Sequence, residues 1–271
     1  MFLIDEIFIV IIGLCFGSFI TMASYRFADE EMPTREFIVK NSFCPHCKNR
    51  LKIRHLFPVF SWLFSRGKCG FCQEKISIRY PLIEIFSAAL FLGIYLALGS
   101  KIDLKLVLIL LMAVTLIIMS VVDLESYFIP DFTQIFLGFL IVIYHLTIPE
   151  NYKFDYYYYS GMLLLAIGLA LHFGFFLITK KQGIGEDDIK FLFFAGFMLG
   201  AHQILIFMIL SGVFGVIFGP VWKFLKKDDT FPFAPALSFA FLACITFKID
   251  YIEFFGLLLY WFQKYILQTA Y

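Results

Sequence analysis

Apolar residues in this chain come in long, nearly unbroken runs separated by short polar stretches, without the spacing of an amphipathic helix or strand. The runs fall at about 7–25, 82–98, 104–122, 132–148, 159–179, 189–201, 203–222 and 233–247. A helix crosses the ~30 Å hydrocarbon core with ~20 mainly apolar residues. The pattern therefore predicts an all-α polytopic membrane protein with about eight transmembrane helices. Ile189 to Trp222 is too long for one span, and Gly200-Ala201-His202 marks the turn that divides it. The aromatic stretch 252–268, which carries Lys264, reads either as a ninth span or as a helix lying in the interface. The first run carries Asp5 and Glu6 at its start and no basic residue before Arg26. It lacks the positive n-region of a secretory signal and reads as a retained helix.

Composition agrees with a bilayer: 61% of the 271 residues are hydrophobic and 16% charged, against ~45–50% and ~25% in soluble domains. The net charge of +1 is uninformative until the charges are placed. Alternate loops (26–80, 123–131, 180–190 and 223–229) hold 17 of the 22 lysines and arginines, 11 of them in 26–80. Cytoplasmic loops carry this excess, so the N-terminus is expected outside and the long loop in the cytoplasm. No basic stripe with interleaved aromatics is present, and nucleic acid is not an expected partner. The Tyr156–Tyr159 run fits an aromatic belt at the outer interface.

Two features carry chemistry. The long loop contains Cys44-Pro-His-Cys47 and Cys69-Gly-Phe-Cys72. Two such pairs present four thiolates at tetrahedral reach, which suits structural Zn2+. The rival reading is a pair of disulfides, which a reducing cytoplasm disfavours. His46 reads as a bystander, and Cys15 and Cys244, within spans, as packing residues. The second feature is acidic. Asp123-Leu-Glu-Ser-Tyr-Phe-Ile-Pro130-Asp131 follows the third run, and Gly183-Ile-Gly185-Glu-Asp-Asp188-Ile-Lys190 opens the sixth. Alternating spans bring both to the cytoplasmic side. Two neighbouring carboxylates cannot both ionise cheaply, so one holds a proton while the other deprotonates water. Glu125, Asp131, Glu186 and Asp187 read as solvated loop acids. Gly183 and Gly185 would let the backbone approach a substrate strand.

These residues resemble the type IV prepilin peptidases, membrane aspartyl proteases of the GxGD kind. Gly17-Ser-Phe-Ile-Thr21 with Arg26 is similar to the family's GSFLN…R segment, with Thr21 in place of Asn. Phe57-Pro-Val-Phe-Ser-Trp62, Arg66-Gly-Lys-Cys69, and Ile76-Ser-Ile-Arg79-Tyr-Pro81 with Glu84 are similar to its cysteine module. Asp123 with Ile129-Pro130-Asp131 matches the first catalytic motif, and Gly185-Glu-Asp-Asp188-Ile-Lys190 the second. Phe231-Pro-Phe-Ala-Pro235 is similar to the late PFGP segment, with Ala234 for Gly. The second motif has Asp187 where the family places Gly before its catalytic Asp. Alignment on Asp-x-Lys puts the role on Asp188, with Asp187 as its rival.

The resemblance implies removal of the leader of prepilin or pseudopilin substrates, which carry a basic leader and an apolar helix. Cleavage follows Gly on the cytoplasmic side of a bacterial inner membrane. Asp123 and Asp188 are the implied catalytic pair, with Gly183, Gly185, Asp187, Lys190 and Glu84 in support. It also implies N-methylation of the new terminus from S-adenosylmethionine, although no Gly-rich nucleotide fingerprint is present. Glu84, an acid just inside a span, reads either as functional or as a partner of Arg79 or another loop base. The expected organisation is a first helix over 1–25, a zinc loop over 26–80 and a protease region over 81–271. A transporter, or an inactive assembly scaffold with a zinc docking loop, are the competing classes. The first should show internal repeats, and none is evident.

Overall fold

A computed structural model describes residues 2–27, 42–147, 153–180, 183–226 and 231–248. The 252–268 segment, expected as a ninth span or an interfacial helix, lies outside the described residues. Those residues hold nine α-helices: α1 Phe2–Phe27, α2 Phe60–Phe64, α3 Arg79–Ala97, α4 Leu104–Ser126, α5 Asp131–Thr147, α6 Phe154–Thr179, α7 Glu186–Leu199, α8 Ala201–Lys226 and α9 Ala234–Phe247. Among them there is no strand, only two isolated bridges, Phe43 with Arg50 and Lys68 with Lys75.

Five helices are long and apolar enough to cross a membrane: Leu3–Phe27, Arg79–Ala97, Leu104–Ser126, Phe154–Thr179 and Ala201–Phe224. The other three expected spans form shorter helices. The 17 residues of α5 cover about 26 Å, and the 14 of α7 and of α9 about 21 Å. The long 189–222 run does divide at Gly200, which takes φ +73° between α7 and α8. A side chain at 200 would also meet the Tyr156 ring at 2.8 Å.

The chain forms two compact units, Met1–Pro130 and Asp131–Tyr271. In the first, α1 packs along α3 through Gly13 and Gly17. A Cβ at Gly13 would lie 2.6 Å from Ala88 Cα, and one at Gly17 would lie 2.5 Å from Glu84 Cα. Lipid tails are as apolar as leucine, so close backbone approach over small residues is what joins such helices. Asp103 starts α4 by accepting the Leu106 N–H at 2.8 Å. Tyr127, at φ +58°, ends it in a left-handed turn.

In the second unit α6 packs along α7 by the same device. A Cβ at Gly196 would lie 2.5 Å from the Ser160 carbonyl, and one at Gly168 would lie 2.5 Å from Leu192 Cδ1. Three histidines of this unit are tied to neighbouring groups. His145 meets the Phe197 carbonyl at 3.1 Å, His172 that of Ile184 at 2.9 Å, and His202 the Tyr156 hydroxyl at 3.0 Å.

Candidate functional site

The four loop cysteines converge. Their sulfurs all lie within 4.8 Å of one another. Tetrahedral zinc at ~2.3 Å from each sulfur places sulfurs ~3.8 Å apart, and Cys44 Sγ lies 4.0 Å from Cys72 Sγ. A disulfide would need ~2.05 Å, and all six cysteines are free. The two pairs are built alike. The N–H of Cys44 bonds the Asn49 carbonyl at 3.0 Å and that of Cys69 the Glu74 carbonyl at 2.8 Å. The residue after each second cysteine, Lys48 and Gln73, turns left-handed at φ +57° and +60°. In the second pair the backbone N–H groups of Phe71, Cys72 and Glu74 point at the sulfurs. Bonds from the Cys72 and Phe71 backbone lower the Cys69 thiol to about 7. The Glu74 N–H pulls Cys72 the same way, but burial and the neighbouring thiols outweigh it and raise Cys72 to about 11. A divalent cation would relieve that crowding, so the donor set fits zinc. His46 is not in the cluster.

Asp123 lies in the last turn of α4 and is only 5% exposed. Its carbonyl accepts the Tyr127 N–H at 2.9 Å, which closes the helix. Two residues on, Glu125 forms an ion pair with Arg79 at the start of α3. That pair joins the C-terminal end of α4 to the N-terminal end of α3, two ends that alternating spans put on one face.

The sequence offers Glu84 as a possible partner of Arg79, and the structure corrects this. Arg79 goes to Glu125, whereas Glu84, 7% exposed, accepts the Val59 N–H at 2.6 Å and a bond from the Ser18 side chain. Val59 stands at φ +61°, a conformation rare for a β-branched residue. Glu84 thus ties the turn before α2 to α1 and α3. Trp62 of α2 points the other way, donating to the Ile76 carbonyl at 3.1 Å and covering Gly67.

In the second unit Gly185 is the N-cap of α7, and Glu186, Asp187 and Asp188 fill its first turn. Acids are favoured at this positive end of the helix dipole. Asp187 is tied twice. Its carboxylate meets Lys190 Nζ at 3.0 Å, and its carbonyl accepts from Gln134 Nε2 at 3.2 Å. Lys190 also meets Asp131 at 2.7 Å, so the starts of α5 and α7 are joined. Asp188 turns back over the N-cap, and a Cβ at Gly185 would lie 3.1 Å from its Oδ2. The Phe175 ring would meet a Cβ at Gly183 at 2.6 Å. Both glycines therefore have a reason to be glycine within the chain itself. Asp123 belongs to the first unit and Asp187 and Asp188 to the second. Sequence reasoning held Ser18 and Val59 only as members of longer segments, without a role, and did not mark Gln134. Two of the bonds involved use backbone groups, which leave no residue-type signal.

Comparison with known proteins gives two family matches. The Bacterial Peptidase A24 N-terminal domain matches residues 11–98, and the Type IV leader peptidase family matches residues 110–220. A Prepilin leader peptidase/N-methyltransferase of Bacillus subtilis (strain 168) is 30% identical over 249 residues, covering 90% of this chain and 95% of the relative. One of Neisseria gonorrhoeae is 28% identical over 261 residues, covering 84% and 85%. The Type 4 prepilin-like proteins leader peptide-processing enzyme of Escherichia coli O78:H11 (strain H10407 / ETEC) is 30% identical over 251 residues, covering 86% and 90%. No solved structure matches the chain.

Proposed function

The chain belongs to the type IV leader peptidase family, and on that premise we propose that Asp123 and Asp188 are its catalytic pair. The protein is a prepilin leader peptidase with an N-methyltransferase activity, a multi-pass protein of the bacterial inner membrane. The transporter and scaffold readings are not favoured. The zinc loop and both acidic clusters face the cytoplasm, with the N-terminus outside. The first helix, the loop 26–80 and the region 81–271 serve respectively as anchor, zinc module and protease.

What carries the choice of Asp188 is its place in the Asp-x-Lys ending of the second motif, Asp188-Ile189-Lys190, beside an Asp187 whose carboxylate meets Lys190 and whose carbonyl accepts from Gln134. Both groups of Asp187 hold helix ends together, which is a positioning task. Asp188 lies one residue deeper in the same turn, with its carboxylate over Gly185. Burial of Asp123 supports its role, since a carboxyl group in a water-poor site acts more strongly on the reacting atoms it touches. One carboxylate takes a proton from water, and the resulting hydroxide attacks the carbonyl carbon of the bond after Gly. The other carboxylic acid gives its proton to the departing amine as the C–N bond breaks. Substrates are prepilins or pseudopilins whose basic leader stays in the cytoplasm while the apolar helix sits in the bilayer.

Zinc held by Cys44, Cys47, Cys69 and Cys72 supplies folding energy to a loop with little core of its own. S-adenosylmethionine is the methyl donor of the second activity. Glu84, an acid of the same region, already accepts the Val59 N–H.

The test is co-expression with a candidate prepilin and mass measurement of its N-terminus. Asp123→Asn and Asp188→Asn should leave the leader attached, while Asp187→Asn should still process. Normal processing by Asp188→Asn would overturn the assignment. A trimmed but unmethylated product from the unaltered enzyme would remove the second activity alone.

A further inference from the structure

α2 is a single turn of helix with two unlike faces. Trp62 turns inward to the Ile76 carbonyl and Gly67. Phe60, Leu63 and Phe64 turn outward and are 54%, 61% and 82% exposed. Three large apolar side chains within five residues form a patch that a water-facing loop would not leave bare.

The depth of this turn is fixed by the Glu84 bond. Glu84 is the sixth residue of α3, about 7.5 Å along its axis from Arg79. Val59, the residue immediately before α2, is held to it at 2.6 Å. Gly17 of α1 presses on the same Glu84 backbone. The start of α2 is therefore pinned between two spans, at a level already inside one of them. At that level α3 exposes Leu82, Ile85 and Phe86, the side chains of a lipid-facing helix surface. The outward face of α2 begins at that same level.

Charge points to what that face meets. Residues 42–79 hold eight lysines and arginines and a single acid, Glu74. A zinc ion bound by four thiolates removes two units of charge and leaves the module strongly positive. A basic segment next to a span is drawn to anionic lipid by about 1 kcal/mol per Lys or Arg near the surface. The basic leader of a substrate would be repelled by the same charge. We propose that Phe60, Leu63 and Phe64 of α2 are a membrane anchor seated in anionic phospholipid at the bilayer surface, holding the cysteine module against the membrane. An apolar and aromatic turn carried by a cationic module has the chemistry of an interfacial anchor.

The experiment places a photoreactive p-benzoylphenylalanine at Phe64, or at Gln73 on the second cysteine turn as control, in the full-length zinc-loaded protein. The protein is reconstituted in nanodiscs of phosphatidylcholine with and without phosphatidylglycerol, and adducts are read by mass spectrometry. Lipid adducts at position 64 should exceed those at 73 by about tenfold. Phosphatidylglycerol should be captured at least about threefold above its share of the membrane, as a few nearby cations require. Equal lipid capture at the two positions would overturn the anchor, as would capture mainly of protein, whether this chain or a second copy. Phosphatidylglycerol captured only in proportion would overturn its preference for anionic lipid. Bound zinc reports that the module is intact. If the Phe64 probe lowers it, the same reading is made with the probe at Leu63.

Discussion

Replacing Glu84 by alanine should release the turn that leads into α2. The wild-type bond joins a buried carboxylate oxygen to the Val59 N–H at 2.6 Å. Alanine leaves that N–H in a site with little water, and an unsatisfied buried donor costs about 1–3 kcal/mol. Val59 is also held at φ +61°, a strain of roughly 1–3 kcal/mol that persists only while something enforces it. Loss of the acceptor removes the enforcement, so the turn relaxes and part of the strain is recovered by opening. Taking about 2 kcal/mol for the net change, opening of residues 57–64 becomes about 30-fold more frequent.

The assay is hydrogen exchange at Val59 in the full-length protein, with proteolysis at Arg54 and Arg66 as a second reading. Glu84→Gln keeps a carbonyl acceptor and should open only about fivefold more often, a loss near 1 kcal/mol. Val59→Gly tolerates positive φ without a Cβ and should recover part of the stability lost in Glu84→Ala. The two changes are therefore non-additive. If Glu84→Ala leaves exchange within about twofold of wild type, or if the two substitutions simply add, then this bond does not hold the turn.

Lys190→Met removes two ion pairs whose members are about one-third to two-thirds exposed. Such pairs contribute up to about 1 kcal/mol each, so leader removal should survive within about tenfold while thermal stability falls slightly. Loss as complete as in Asp188→Asn would mean that Lys190 acts in the chemistry. Gly17→Val puts a branched side chain where a Cβ alone would be 2.5 Å from the Glu84 backbone. It should destabilise the first unit by about 1–3 kcal/mol, read from thermal unfolding in detergent, and unchanged stability would refute the close α1–α3 contact. Zinc binding should release about one proton fewer at pH 8 than at pH 6. Cys69, lowered to about 7, is mostly protonated below that value and mostly thiolate above it, and zinc takes the thiolate. Calorimetry in buffers of different ionisation enthalpy counts the protons, and a count independent of pH would refute the shift.

The spans and the cysteine pairs were legible because each is written in residue type at short range. A run of apolar residues needs no partner to announce a membrane helix, and Cys-x-x-Cys carries its own spacing. Gly200 was legible for a related reason, as a small residue inside a run too long for one crossing. The three short helices were legible in the same way, the runs 132–148, 189–201 and 233–247 matching α5, α7 and α9 to within three residues at either end. The glycine contacts of α1 with α3 and of α6 with α7 were not read at all, since small residues inside an apolar run look like any others until two helices are laid together.

The acids mark the sharper limit. Seven of them, Glu84, Asp123, Glu125, Asp131, Glu186, Asp187 and Asp188, carry nearly the same chemistry in the sequence, and motif spacing alone must tell them apart. What separates them is the partner that the fold delivers. Glu125 receives Arg79 from the start of α3, 46 residues back, and Asp131 and Asp187 share Lys190. Glu84 receives a backbone N–H, a donor that every residue but proline carries and that therefore leaves no trace in the sequence. The Arg79 and Lys190 pairs each fix a helix end that carries one of the two aspartates proposed for catalysis. A carboxylate pair works only if each member is held within a fraction of an ångström. The positioning acids are thus a requirement of the catalytic ones, and a substitution among them should slow leader removal in proportion to the helix end it frees.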